Sequence, residues 1–443
     1  MPGIAMKSHL LFYLLICLTI QFLAGEHAAA AAFTMGQLQT VSSDGSLDVI
    51  RNPSLMTAQK ADNSVGIILL SAPFTSHRYS YDFYQTPWII TGRVRDTKYI
   101  TGSVFISYCR KIQNGVIGLA LDTDNPYQGV YTRYERTYTG IITGNFISTV
   151  ISGESMKMTP RFVLSFGTMV SGNHTVGIQC AAGYMLFRDD TSYQSVIDYF
   201  SYQKNHASKK TEEARAELSF GYSYRDADSQ AGLMIRSGRF SWRKTKIYYS
   251  HGDFITPLMF AGSASEPFNF QYERGLTLIG GGYHKLASFI AVALEGEYEI
   301  PVSYTQKDLR YDEMTGYYAV TNNLAVNKSG LYCLRAGFEI LPSGPVTINL
   351  GGGMSTTRES RRGKFFSEFI NTDTFSGVFG IDLKFVENLM IMAGSQLLYT
   401  KERRRGAANY IGIGTSSYIG ASSYDGPATL LNINVFSGMS CGF

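Results

Sequence analysis

Charge is scarce in this sequence. Asp, Glu, Lys and Arg make up 17% of its 443 residues, and the formal net charge is only +4. So even a balance leaves no electrostatic footprint for nucleic acid. Cysteine is scarce too. One lies in the apolar N-terminal run, and Cys109, Cys180, Cys333 and Cys441 are widely spaced with no CxxC pair. That spacing excludes a disulfide framework and a thiolate metal site, and the four read as small apolar or lumenal residues. There is no phosphate loop, zinc spacing or dinucleotide fingerprint, so neither cofactor nor metal is expected. His77, His174, His206, His251 and His284 fall in expected loops, turns or strand ends and form no Ser–His set, so no enzyme is expected. Beyond Phe33 no apolar run reaches the roughly 18 residues that suggest a membrane-spanning helix.

Aromatics and glycine are plentiful: 30 Tyr, 27 Phe and 45 Gly. A glycine-rich, aromatic-rich, charge-poor chain fits a sheet with two differently solvated faces, not a helical bundle. At the N-terminus Lys7 and His9 precede an apolar run from Leu10 to Ala24, followed by small residues. This pattern predicts a secretory signal over 1–32, a mature start near Phe33, and export to the bacterial envelope.

Period-2 alternation dominates the rest. In "AELSFGYSY", Leu218, Phe220, Tyr222 and Tyr224 oppose Glu217, Ser219, Gly221 and Ser223. In "FGIDLKF", Phe379, Ile381, Leu383 and Phe385 oppose Gly380, Asp382 and Lys384. In "VALEGEYEI" the apolar residues oppose Glu295, Glu297 and Glu299. Three carboxylates on one face exclude a dry core, so this face is expected to be wet. An apolar face backed by a charged one fits a barrel in lipid with a polar lumen, or a soluble sandwich turned the other way. Connection lengths separate the two. Short turns near 111–115, 171–174, 226–229, 285–287, 341–344 and 387–388 alternate with expected long loops at 73–97, 124–158, 188–212, 252–270, 304–328, 358–373 and 402–426. A sandwich has no reason to alternate so, whereas tight turns on one side and long loops on the other are the habit of outer-membrane barrels. The strands between them number about fourteen, with 124–158 and 238–256 the least defined. The last strand alternates up to Phe443, which resembles the terminal signal that such barrels present to the assembly machinery.

Three groups of side chains stand out. Arg215, Glu217, Arg236, Glu295, Glu297, Glu299, Arg335, Glu339, Asp382 and Lys384 are expected to share the wet face, as a salt-bridge network or as a selectivity lining. "GDFITPLMFAG" is unusually apolar for a loop, and Phe254, Ile255, Leu258, Met259 and Phe260 are candidates for capturing a hydrophobic ligand. "RESRRGKFF" and "KERRRG" put basic runs in two expected external loops, suited to hold lipopolysaccharide and other outer-membrane lipids or to steer a carboxylate.

In "LDVIRNPSLMTAQK", Arg51, Asn52, Pro53 and Ser54 form a polar corner just before the first strand. Proline fixes its own φ, pushes Asn52 to an extended conformation, and leaves the Asn side chain free to close an Asx turn. With fourteen strands, this corner resembles the Asn-Pro-Ala element of the FadL-type long-chain fatty-acid channels, with Ser54 where that family has Ala. The resemblance implies an all-β transmembrane barrel over 62–443, with a hatch over 33–61 that is shorter than the family's. It further implies passive passage of fatty acids or similar hydrophobic molecules across the bacterial outer membrane, with a basic residue near the ligand's head group. A general porin, or a structural or adhesive barrel, is the alternative.

Overall fold

The outward and inward faces sort side chains residue by residue. On one strand Leu164 and Phe162 are exposed while Val163 and Ser165 are buried. On another Leu218 and Phe220 point out while Glu217 and Ser219 are buried. Exposed Ile178, Leu233, Leu294, Leu334, Met354 and Val435 continue an outer apolar surface around the molecule. So wide an apolar surface does not suit water. It suits the hydrocarbon layer that a transmembrane barrel wears as a belt.

The structure is a computed structural model. It describes residues 38–443 apart from 42–44, 60, 86–87, 124–130, 143–144, 198–200, 254–259, 266–268, 312–318, 342–344, 364–365, 387–388 and 412–418. Two 3-10 helices, Gly45–Ile50 and Pro53–Ala58, precede the sheet. The ladder segments are β1 (Asn63–Gln85), β2 (Trp88–Ile112), β3 (Gly115–Thr123), β4 (Tyr131–Ile142), β5 (Asn145–Met158), β6 (Pro160–Ser171), β7 (His174–Ile197), β8 (Ser201–Arg225), β9 (Ser229–Arg236), β10 (Arg239–Asp253), β11 (Phe260–Ser265), β12 (Asn269–Arg274), β13 (Thr277–Ala287), β14 (Ile290–Glu299), β15 (Val302–Tyr311), β16 (Ala319–Ile340), β17 (Val346–Arg362), β18 (Phe366–Val386), β19 (Leu389–Ile411) and β20 (Ile419–Gly442). Several continue one another along a single wall strand: β3 with β4, β5 with β6, β9 with β10, β11 through β13, and β14 with β15. The wall is therefore a closed antiparallel barrel of 14 strands. It closes where β1 pairs with β20, from Ser64↔Gly442 to Gln85↔Ser422. Asn63 and Phe443 exchange two backbone hydrogen bonds of 2.8 Å at the seam.

The turns follow local chemistry. Gly172, between β6 and β7, has φ +44°, which costs glycine little. Asp226, between β8 and β9, accepts from the backbone N–H of Asp228 (3.0 Å) and of Ser229 (2.9 Å). Those two donors hold its carboxyl below the usual carboxylate range. The turn expected at 285–287 lies slightly later, between Ala287 and Ile290. The expected loops are mostly ladder. Residues 73–97 form the outer part of the β1–β2 hairpin, paired to Gln85↔Trp88, and β7–β8 pairs to Ile197↔Ser201. Above the membrane both faces of a hairpin are wet, so the contrast between alternating residues fades. All four described cysteines are free thiols, with Cys180 exposed and the others buried.

Candidate functional site: the N-terminal segment and its lumenal seat

Backbone constraints shape the segment first. Asn52 sits at φ −83° and ψ 112°, the extended geometry that a following proline requires. Pro53 opens the second 3-10 helix, where its missing N–H costs nothing. Asn52 Oδ1 accepts from Ser54 N (3.2 Å) and Ser54 Oγ (2.8 Å), closing the Asx turn. The Oγ bond is one that an alanine in this place could not make. Asn52 Nδ2 donates to the carbonyl of Tyr222 on β8 (3.2 Å), which fastens the corner to the wall.

The wall is shaved to receive it. A Cβ on Gly177 of β7 would lie 2.5 Å from the Pro53 carbonyl carbon, and one on Gly167 of β6 would lie 2.5 Å from Pro53 O. A Cβ on Gly221 of β8 would overlap Asn52 Oδ1 outright. Gly66 and Gly118 meet Ser46 and Val49 in the same way. These glycines lie on the buried face of their strands, so the corner packs directly on backbone. Ser165 Oγ donates to Val49 O (2.8 Å), and Gln179 Nε2 reaches Val49 O and, at 3.4 Å, Arg51 O. Around this seat Leu47, Val49 and Met56 pack with Ile68, Phe105, Val116, Val163, Met392 and Phe436 in one buried apolar cluster. Arg51, Asn52, Pro53 and Ser54 are all buried.

Charge is concentrated on the next strands round. Glu295 Oε2 accepts from Gln39 N, Thr40 N and Thr40 Oγ1, each at 2.7 Å. Its Oε1 meets Arg335 Nη1 at 2.7 Å, and Arg335 Nη2 meets Glu297 Oε2 at 2.5 Å. Arg274 bridges Glu297 (3.4 Å) and Glu299 (3.1 Å). Arg236 pairs with Glu217 (3.0 Å) and donates to Gln39 Oε1 (2.7 Å). Arg215 pairs with Glu213. Tyr283 donates to Glu339 (2.7 Å), and Asn349 donates to Asp382 (2.6 Å). The expected wet face is therefore corrected in one respect. Glu295 and Glu297 are 3% and 5% exposed. Guanidinium groups and the N–H groups of Gln39 and Thr40 take the place of water around them, which is what buried carboxylates require.

Nine of the ten expected lumenal charges lie on the inward face. Lys384 differs: it is exposed near the end of β18. Phe254, Ile255, Leu258 and Met259 lie outside the described residues, and Phe260 begins β11 opposite His251. Gln39, Thr40, Gln179 and the seat glycines escape sequence reasoning, because each acquires its role from a partner far along the chain. The one available signal was a glycine at each inward position, such as Gly221 between Ser219 and Ser223.

A closed antiparallel barrel with an apolar outside and a charged inside is a membrane β-barrel, and here an N-terminal segment packs on its inner face. Neither a protein-family model nor a curated protein sequence matches the chain. Solved structures do. It is similar to the Ralstonia pickettii toluene transporter TbuX, at 13% identity and TM-score 0.58, covering 94% of this chain and 99% of that one. It is also similar to the P. putida toluene transporter TodX, at 13% identity and TM-score 0.54 with the same coverages. A third is a Pseudomonas aeruginosa FadL homologue, at 11% identity and TM-score 0.54, covering 95% and 100%. The chain has the FadL-type fold.

Proposed function

We propose that this chain is an outer-membrane channel for passive uptake of hydrophobic molecules, closed by residues 33–61 acting as a hatch. The observation that carries the reading is the Asn52–Pro53 corner, seated on glycines of three consecutive wall strands in a barrel of FadL-type fold. Porins of 16 to 18 strands leave an aqueous channel, so a barrel of 14 needs filling if it is not to leak. The apolar cluster around Leu47, Val49 and Met56 offers a dry layer to a hydrophobic guest, worth roughly 25 cal/mol for each Å² removed from water. Phe443, 38% exposed beside the closing seam, suits recognition by the assembly machinery.

A second space supports a reading of the substrate class. A cavity of about 300 Å³ is bounded by Arg239, Arg274, Glu299, Lys328, Leu331 and Glu359 among others. Arg274 is matched by Glu297 and Glu299, and Glu359 by Arg361. Lys328 Nζ donates to Glu273 O (3.2 Å) and lies 5.5 Å from the centre of the Tyr304 ring. Leu324 and Val326 line the same inward row of β16. The cavity is lined mostly by charged side chains, Glu273 among them, with Leu331 as its apolar member; the Lys328 ammonium there suits a carboxylate head group and adds nothing for a hydrocarbon. A hydrogen bond to a charged group contributes about 1.5–3 kcal/mol, so Lys328→Ala should lower oleate uptake by about tenfold and leave toluene uptake within about twofold. Labelled-substrate uptake by cells expressing each variant measures this. Equal loss of both substrates would remove the carboxylate assignment, and no uptake of either by the unaltered chain would remove the transport reading.

A further inference from the structure

We infer that the outer face of β17–β19, just beyond the apolar belt, is a docking surface for phosphate-bearing glycolipid headgroups of the membrane. The inference uses the membrane placement above and is independent of transport.

Strand pairing stacks the outward residues of these strands in rows. Met354, Phe375 and Tyr399 lie side by side, all exposed, and form the last apolar row. The next row is Thr356, Asp373 and Lys401, then Arg358, Asn371 and Arg403, then Ser360, Phe369 and Arg405. Arg362 follows on β17. Lys401, Arg403, Arg405, Arg358 and Arg362 are all exposed. Neighbouring strands are about 4.8 Å apart and alternate residues about 7 Å apart, so five cations occupy a patch roughly 10 Å wide and four rows, about 20 Å, deep. The acids in these rows are Asp373, beside Lys401, and Asp425, opposite Arg405 on β20.

The inward residues of the same stretches behave differently. Arg361 pairs with Glu359 (2.5 Å) and Glu368 (3.7 Å), and Arg404 pairs with Glu402 and with Glu368 (3.8 Å). Alternation thus divides the two basic runs. Arg361 and Arg404 turn to the lumen, and the outward rows carry five cations and two acids. The structure corrects the expectation that these runs are loops, since 358–362 and 401–406 are ladder. A rigid sheet holds the outward cations at the height where the belt gives way to headgroups. Such a surface favours a lipid carrying two phosphates a patch-width apart over a single diffuse anion. Arginine grips phosphate by paired N–H donors.

The test uses the full chain purified in detergent, with binding of a bis-phosphorylated lipid A read by native mass spectrometry. Each cation near a membrane surface is worth about 1 kcal/mol, roughly a fivefold change. The triple variant Arg358→Gln, Arg403→Gln, Arg405→Gln should therefore bind about a hundredfold more weakly. Replacing the same three positions by lysine should keep most of the affinity, and Arg361→Gln should leave it within about twofold. Heat-modifiable migration in gels confirms that each barrel is folded. The inference is overturned if the glutamine triple binds like the unaltered chain. It is also overturned if dephosphorylated lipid A binds the unaltered chain as well as the bis-phosphorylated form. Loss of substrate uptake with lipid binding intact would count against the transport reading alone.

Discussion

Replacing Gly221 by valine is expected to unseat the N-terminal segment while leaving the barrel standing. The added Cβ would occupy the position of Asn52 Oδ1. That oxygen cannot swing aside cheaply, because it holds Ser54 N and Ser54 Oγ, while the amide nitrogen beside it holds Tyr222 O. Overpacking a rigid site costs about 1–3 kcal/mol, and here three hydrogen bonds are lost with it. The ladder is untouched, since β8 pairs with β7 and β9 through backbone at this position. Arg51 is only 6% exposed in its seat and should become a trypsin site. Cleavage after Arg51 is expected to rise at least tenfold in G221V, with an unchanged folded band for the barrel. Continued protection would mean that the corner is not held by β8.

The second large effect is expected from Glu295. Its side chain ties the segment, through Gln39 and Thr40, to the wall, through Arg335. Removing one partner of a buried ion pair typically costs about 3–5 kcal/mol, because the other charge remains desolvated. Glu295→Gln should lose about that much, seen as a lower unfolding midpoint in detergent and urea. Arg335 keeps Glu297, which places the loss toward the lower end. Glu295→Leu combined with Arg335→Met should cost less than the two changes summed, since neither charge is then stranded. Additive costs would show that the two groups stabilise the protein separately.

Much of this was legible from alternation alone. The inward set Glu295, Glu297 and Glu299 and the outward set Leu218 and Phe220 lie as their period of two requires, because one face meets lipid and the other meets charge. Chain length above the membrane was not legible. In "SYQKNHASKK" of β8 both faces are polar, and a strand wet on both sides looks like a loop. Lys384 shares the parity of Asp382, but parity does not say where a strand leaves cover. The seat was least visible. Gly221 needs no side chain because of Asn52, a residue 169 positions earlier, and only folding brings the two together.

The central claim is that the N-terminal segment closes the lumen. Sugar-driven swelling of liposomes containing the full chain, compared with the chain lacking 33–60, tests it most directly. The account predicts swelling near background for the full chain and at least tenfold faster for the shortened one. Equal rates for the two, fast or slow, would contradict it.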